Sequence, residues 1–82
     1  MKINEEDWPL LMDVTLLGIL KKEPSETLDE VLLVLVDTGM YTLKEAKAVL
    51  KRLRKEGYVQ HGALTVKGML RAKEAEQKFR QQ

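Results

Sequence analysis

Cysteine is absent from the sequence, histidine occurs once, proline twice, and only four of the 82 residues are aromatic. Without thiols there is neither a disulfide framework nor a thiolate zinc site, and a reducing cytoplasm is the expected compartment. The lone His61 has no second imidazole or thiol with which to share a metal, so no metal site is expected. Long apolar runs are missing as well. The richest stretch, Leu10 to Leu20, is interrupted by Asp13 and falls short of the roughly 20 residues of a membrane span. The start, Met1 to Asp7, is acidic and polar where a secretory signal is basic and then apolar, so a soluble protein with no secretory segment is expected.

Catalytic constellations are equally scarce. Ser25 has no histidine near it in sequence, the carboxylate pairs Glu5-Glu6 and Asp29-Glu30 fit a solvated face or a helix start, and no glycine-rich phosphate loop occurs. Neither an enzyme nor a cofactor is expected.

What the chain does have is charge, divided unevenly. Residues 1–41 carry nine acids against three bases, and residues 42–82 carry eleven bases against four acids, so the halves stand at −6 and +7. Such a division suits a polyanion approaching from one side.

The length fits one domain, 1–82, with a core over about 8–66 and a last helix over about 67–80. Pro9 favours the first turn of a helix, which starts near Trp8 to Leu10 and ends near Lys21 and Lys22 ahead of Pro24. Thr27-Leu28-Asp29-Glu30 has the form of a capping box, which starts a second helix at Leu28, and Gly39 closes it after Asp37 or Thr38. A second box, Thr42-Leu43-Lys44-Glu45, opens a third helix from Leu43 to Glu56, closed by Gly57, with Tyr41 placed to pack against Ala46. The period then changes. Tyr58 to Gln60 and Ala63 to Val66 read as short strands about a His61-Gly62 turn, and Thr65 caps a helix from Lys67 to Arg80. The fold expected is mainly α with a small β-hairpin, in the order helix, helix, helix, hairpin, helix.

Two helices joined by a tight glycine turn, the second basic and followed by a hairpin, resemble a winged helix-turn-helix domain. The segment VLKRLRKEGYV, Val49 to Val59, is similar to the end of the recognition helix and the apolar strand after it in bacterial regulators of the MarR and PadR types. ALTVKG, Ala63 to Gly68, resembles the returning strand and leucine-threonine-x-x-glycine step of the same families, and the likeness spans roughly Leu10 to Phe79. Departures are visible: a two-residue wing without arginine, Ala48 where such regulators often carry a polar or basic residue, and only Glu23 to Glu26, around Pro24, to form the short strand between the first two helices.

Helical spacing puts Leu43, Ala46, Val49, Leu50 and Leu53 on one side of the third helix. Lys44, Lys51, Arg52 and Lys55 lie opposite, with Lys47 and Arg54 at the edges and Ala48 as a small break. A helix so built fits the major groove of double-stranded DNA, its cations reaching phosphates or guanine acceptors. The candidate DNA contacts are Lys44, Lys47, Ala48, Lys51, Arg52 and Lys55, with His61 on the turn and Lys67, followed by Arg71, extending the track. Glu45 serves its own helix.

The first helix spreads apolar residues around most of its circumference, Leu33, Val34 and Val36 leave the second with little polar surface, and Ala72, Ala75 and Phe79 form a narrow stripe on the last, near Met69. A homodimer through the first, second or last helix is the expectation, with Trp8 as an apolar lid on the core or the interface. The resemblance implies the same, since those regulators dimerise through terminal helices. A DNA-binding transcriptional regulator acting by occupancy is the leading expectation, and the alternative is a protein-interaction module on the same frame.

Overall fold

A computed structural model of the chain describes residues 3–81. Four helices and one hairpin follow in the order α1 (Trp8–Lys21), α2 (Leu28–Asp37), α3 (Leu43–Lys55), β1 (Val59–Gln60), β2 (Ala63–Leu64) and α4 (Val66–Arg80). Pro9 lies in the first turn of α1, and Thr27 and Thr42 each complete a reciprocal capping box, with Glu30 and Glu45. At α3 the Thr42 amide donates to Glu45 Oε1 at 2.9 Å and the Glu45 amide donates to Thr42 Oγ1 at 3.1 Å, so Glu45 is committed to its own helix.

Helices α2 and α3 end in the same way. Gly39 and Gly57 have φ near +84° and +83°, and the amides around them reach back to the last carbonyls: Gly39 to Val36 and Met40 to Leu35, Gly57 to Arg54 and Tyr58 to Leu53. This is the Schellman arrangement, which satisfies carbonyls that would otherwise have no partner. It joins α2 to α3 through the few residues from Thr38 to Thr42 and turns the chain sharply after α3 into the hairpin.

The hairpin pairs Val59 with Leu64 and Gln60 with Ala63 in antiparallel register. His61 and Gly62 both have positive φ, 52° and 76°, the geometry of a type I′ turn. The strands are shorter than the sequence pattern implies: Tyr58 belongs to the turn after α3, and Val66 to the first turn of α4. The reason is Thr65. Its hydroxyl accepts from the Gly68 amide at 3.0 Å and donates to the Gly57 carbonyl at 2.6 Å, while its amide donates to the Tyr58 carbonyl at 3.0 Å. One residue thus caps α4 and ties it to the end of α3. Between α1 and α2 the chain forms turns, and residues 23–26 form no strand.

The core gathers Leu16, Leu32, Val49, Leu53 and Val59, all nearly inaccessible, with Ala46 and Ala72. Helix α1 is central: α4, α3, α2 and β2 all pack on it. Its wide apolar perimeter is therefore taken up largely within the chain, leaving Leu10 open at 49 % exposure. The stripe Ala72 and Ala75 of α4 is buried, with Phe79 half-buried. Asp13 of α1 receives Arg71 Nε at 2.8 Å, with Lys78 at 4.0 Å, and Lys21 pairs with Glu76. Of the cations on α4, α1 thus engages Arg71 closely and Lys78 at longer range, through the single carboxylate of Asp13.

One polar contact crosses the core. Thr15, fully buried, donates its single hydroxyl proton to the Leu11 carbonyl at 2.8 Å, so the Tyr41 hydroxyl, also at 2.8 Å, donates to Thr15 Oγ1. Burial raises the Tyr41 pKa above its ordinary value. A tyrosine whose folded pKa is raised stabilises the fold fully below its ordinary pKa near 10 and loses that contribution as pH climbs toward the folded value. Tyr41→Phe, which costs about 1 kcal/mol at neutral pH, should therefore differ less from the parent above about pH 10. Urea denaturation of both proteins at neutral and alkaline pH measures this; a gap that stays constant or widens contradicts it.

Candidate nucleic-acid interface

Helix α3 is fixed from beneath by Ala46, Val49, Leu50 and Leu53, none more than 4 % exposed. These follow the 3.6-residue period, so the residues between them must face outward. Lys44, Lys47, Ala48, Lys51, Arg54 and Lys55 are all exposed, and among the described residues none of these cations forms an ion pair. From Lys44 to Lys55 the face runs about 16 Å along the axis, at 1.5 Å per residue.

Arg52 is placed differently from the lysines. Its Nε donates to Glu56 Oε2 at 2.6 Å, and its guanidinium carbon sits 4.7 Å from the centre of the Trp8 ring. The carboxyl of Glu56 is held below its usual range, chiefly by this hydrogen bond. Trp8 is half-buried at the start of α1 and packs against the core, so Arg52 leans toward α1. Between Ala48, Lys51, Arg52, Lys55 and Glu56 a shallow hollow of about 430 Å³ opens on the lysine-bearing face.

Lys67 is likewise engaged by the protein itself. Its ammonium donates to the Glu56 carbonyl at 2.8 Å, where α3 ends and a cation is favoured by the helix dipole, and it lies 4.5 Å from the Tyr58 ring centre. Arg71 lies 4.9 Å from the same ring while bound to Asp13. Partial burial opposes the Arg71 charge, and its hydrogen bond to Asp13, with the neighbouring Tyr58, outweighs it, so its pKa is raised. His61 is exposed at the tip of the hairpin. The candidate residues therefore fall into three groups: Lys44, Lys47, Ala48, Lys51 and Lys55 together on one open face, Arg52 and Lys67 held at its margin by internal partners, and His61 on the turn.

Sequence reasoning did not find the partners of Arg52, Lys67 and Arg71. The Arg52-Glu56 pair had a signal in its i,i+4 spacing. The other contacts join residues distant in sequence, for which one chain carries no local signal.

Elsewhere, a cavity of about 360 Å³ is lined by Glu5, Trp8, Pro9, Met12, Arg52, Glu56 and Arg71. Among the described residues no cluster of three or more histidine, cysteine, aspartate or glutamate side chains is placed to hold a metal, and no helix is long and apolar enough to cross a membrane. Comparison with protein-family models, with curated proteins and with solved structures yields no match.

Proposed function

We propose that the chain is a winged helix-turn-helix protein that binds double-stranded DNA, with α3 as the helix entering the major groove and the hairpin as a short wing. The element order, the tight Schellman turn between α2 and α3, and the hairpin directly after α3 support this reading. The observation that carries it is the row Lys44, Lys47, Lys51 and Lys55, without ion pairs among the described residues, on the outer face of a helix whose other face is locked in the core. A helix made merely soluble mixes both signs outward, whereas here Glu45 is spent on the cap and Glu56 on Arg52. Regulation of transcription by occupancy, in the cytoplasm, is the corresponding role.

An amide chemical-shift map with random-sequence duplex DNA tests the proposal. Shifts should concentrate on Lys44, Lys47, Ala48, Lys51 and Lys55, and affinity should fall with salt at a logarithmic slope of roughly 0.9 per phosphate contact. No binding at low salt, or shifts confined to other faces, ends it.

A specific feature keeps the interaction-module reading as the alternative. Leu33 and Val34 on α2 are 48 % and 55 % exposed, and Val66, Met69 and Leu70 form an open apolar edge at the start of α4. These are the surfaces through which a homodimer would form, since α1 keeps little apolar area free. Sedimentation at micromolar concentration tests the dimer: only a 9.4 kDa species removes it.

A further inference from the structure

The centre of the lysine-bearing face carries one apolar side chain. Ala48 is exposed, one turn after Lys44 and one turn before Lys51 and Arg52, and it opens onto the hollow of about 430 Å³, which it shares with the charged side chains Lys51, Arg52, Lys55 and Glu56. Arg52, the neighbour long enough to cover this methyl, is drawn aside by Glu56 and the Trp8 ring. Neither asparagine nor glutamine occurs in α3, so the paired donor and acceptor that select adenine are missing, and of its two guanidinium forks Arg52 is held by Glu56 while Arg54 stands at the edge of the face.

What remains at the middle of the helix is a methyl group in a recess, bordered by ammonium groups on flexible stems. The major-groove edge of a base pair offers acceptors, donors and one apolar group, the C5-methyl of thymine. The lysine ammonium groups can meet acceptors, whereas the Ala48 methyl gains nothing from the polar edges and gains contact area from the thymine methyl. The short side chain of alanine also allows the helix axis close to the base edges, while the lysines on either side spread toward the phosphates.

We propose that Ala48 is a specificity-determining residue that reads the C5-methyl group of a pyrimidine in the major groove, so that the protein prefers thymine to uracil and 5-methylcytosine to cytosine at one position of its site. The proposal rests on the DNA-binding reading and adds a direction of base preference to it.

The test uses the full chain and short duplexes of alternating adenine and thymine, with the same duplexes carrying deoxyuridine in place of every thymidine. The base-pairing groups are identical and only the methyl differs. Titrated by fluorescence anisotropy at low salt, the thymine duplex should bind about fourfold more tightly for one buried methyl. Ala48→Lys, which fills the hollow with another long cation, should lose the preference and bind the two duplexes alike. Equal affinity of the parent protein for the two duplexes overturns the methyl reading and leaves DNA binding intact. A preference that survives in Ala48→Lys places the methyl contact elsewhere and overturns it too. Failure of the parent protein to bind any duplex removes both readings together.

Discussion

Replacing Lys47 and Lys51 together by glutamate should lower affinity for duplex DNA at least about a hundredfold near 50 mM salt. Each lost phosphate contact removes about 0.9 from the logarithmic salt slope, which near 50 mM corresponds to roughly a tenfold loss apiece, and the two new negative charges add repulsion. The slope itself should fall by about 1.8. Both lysines are exposed and free of ion pairs among the described residues, and glutamate is a good helix former, so the variant should keep its fold. A circular-dichroism melt close to the parent's establishes that the loss is one of binding.

The same variant separates the two functional readings. If DNA affinity is unchanged while capture of an acidic protein partner fails, the cationic face belongs to an interaction module. Should both be unchanged, the row of lysines is a solvated surface and nothing more. A lysine-to-glutamate change at Lys67 is a useful contrast, because that ammonium donates to the Glu56 carbonyl. Its replacement should disturb the end of α3 and the start of α4 more than it disturbs the open face.

Much of the backbone was readable because the chain punctuates itself locally. The two T-x-x-E boxes, Pro9 and the glycines after α2 and α3 fix helix ends by hydrogen bonds within four or five residues, so these boundaries fall within a residue or two of the sequence pattern. The hairpin ends were less readable. Ala63 to Val66 look like strand, yet Thr65 turns its side chain to two backbone groups and carries Val66 into α4. Helical periodicity likewise located the open face of α3. It could not distinguish Arg52 from Lys51, because the Trp8 ring that draws Arg52 aside comes from another helix. The apolar girth of α1 does not tell by itself what covers it; in the fold three helices and a strand pack on that one helix.

Gly68→Ala should be severely destabilising, although a helix-propensity argument gives the opposite sign. Gly68 lies in the first turn of α4, where alanine is worth up to about 1 kcal/mol more than glycine. A Cβ there, however, would stand 2.0 Å from the Tyr58 carbonyl oxygen and 2.9 Å from its carbonyl carbon. Those are backbone atoms, and that oxygen already accepts from the Thr65 amide, so no side chain can rotate out of the way. To admit the methyl, α4 must withdraw from the turn after α3, weakening the bonds of Thr65 to Gly57 and Gly68 and that of Lys67 to Glu56. This crowding also accounts for glycine at the third helical position, where the other two caps carry glutamate. A net loss of about 3 kcal/mol is expected, or a fall in melting temperature of roughly 12 to 24 °C for a domain of this size. Gly39→Ala is the control: φ there is +84° with no atom within 4 Å of the added Cβ, so only the backbone penalty of about 1 kcal/mol applies. If Gly68→Ala melts as the parent does, or no lower than Gly39→Ala, the close approach of α4 to the turn before β1 is wrong, and the placement of the hairpin beside α3 fails with it.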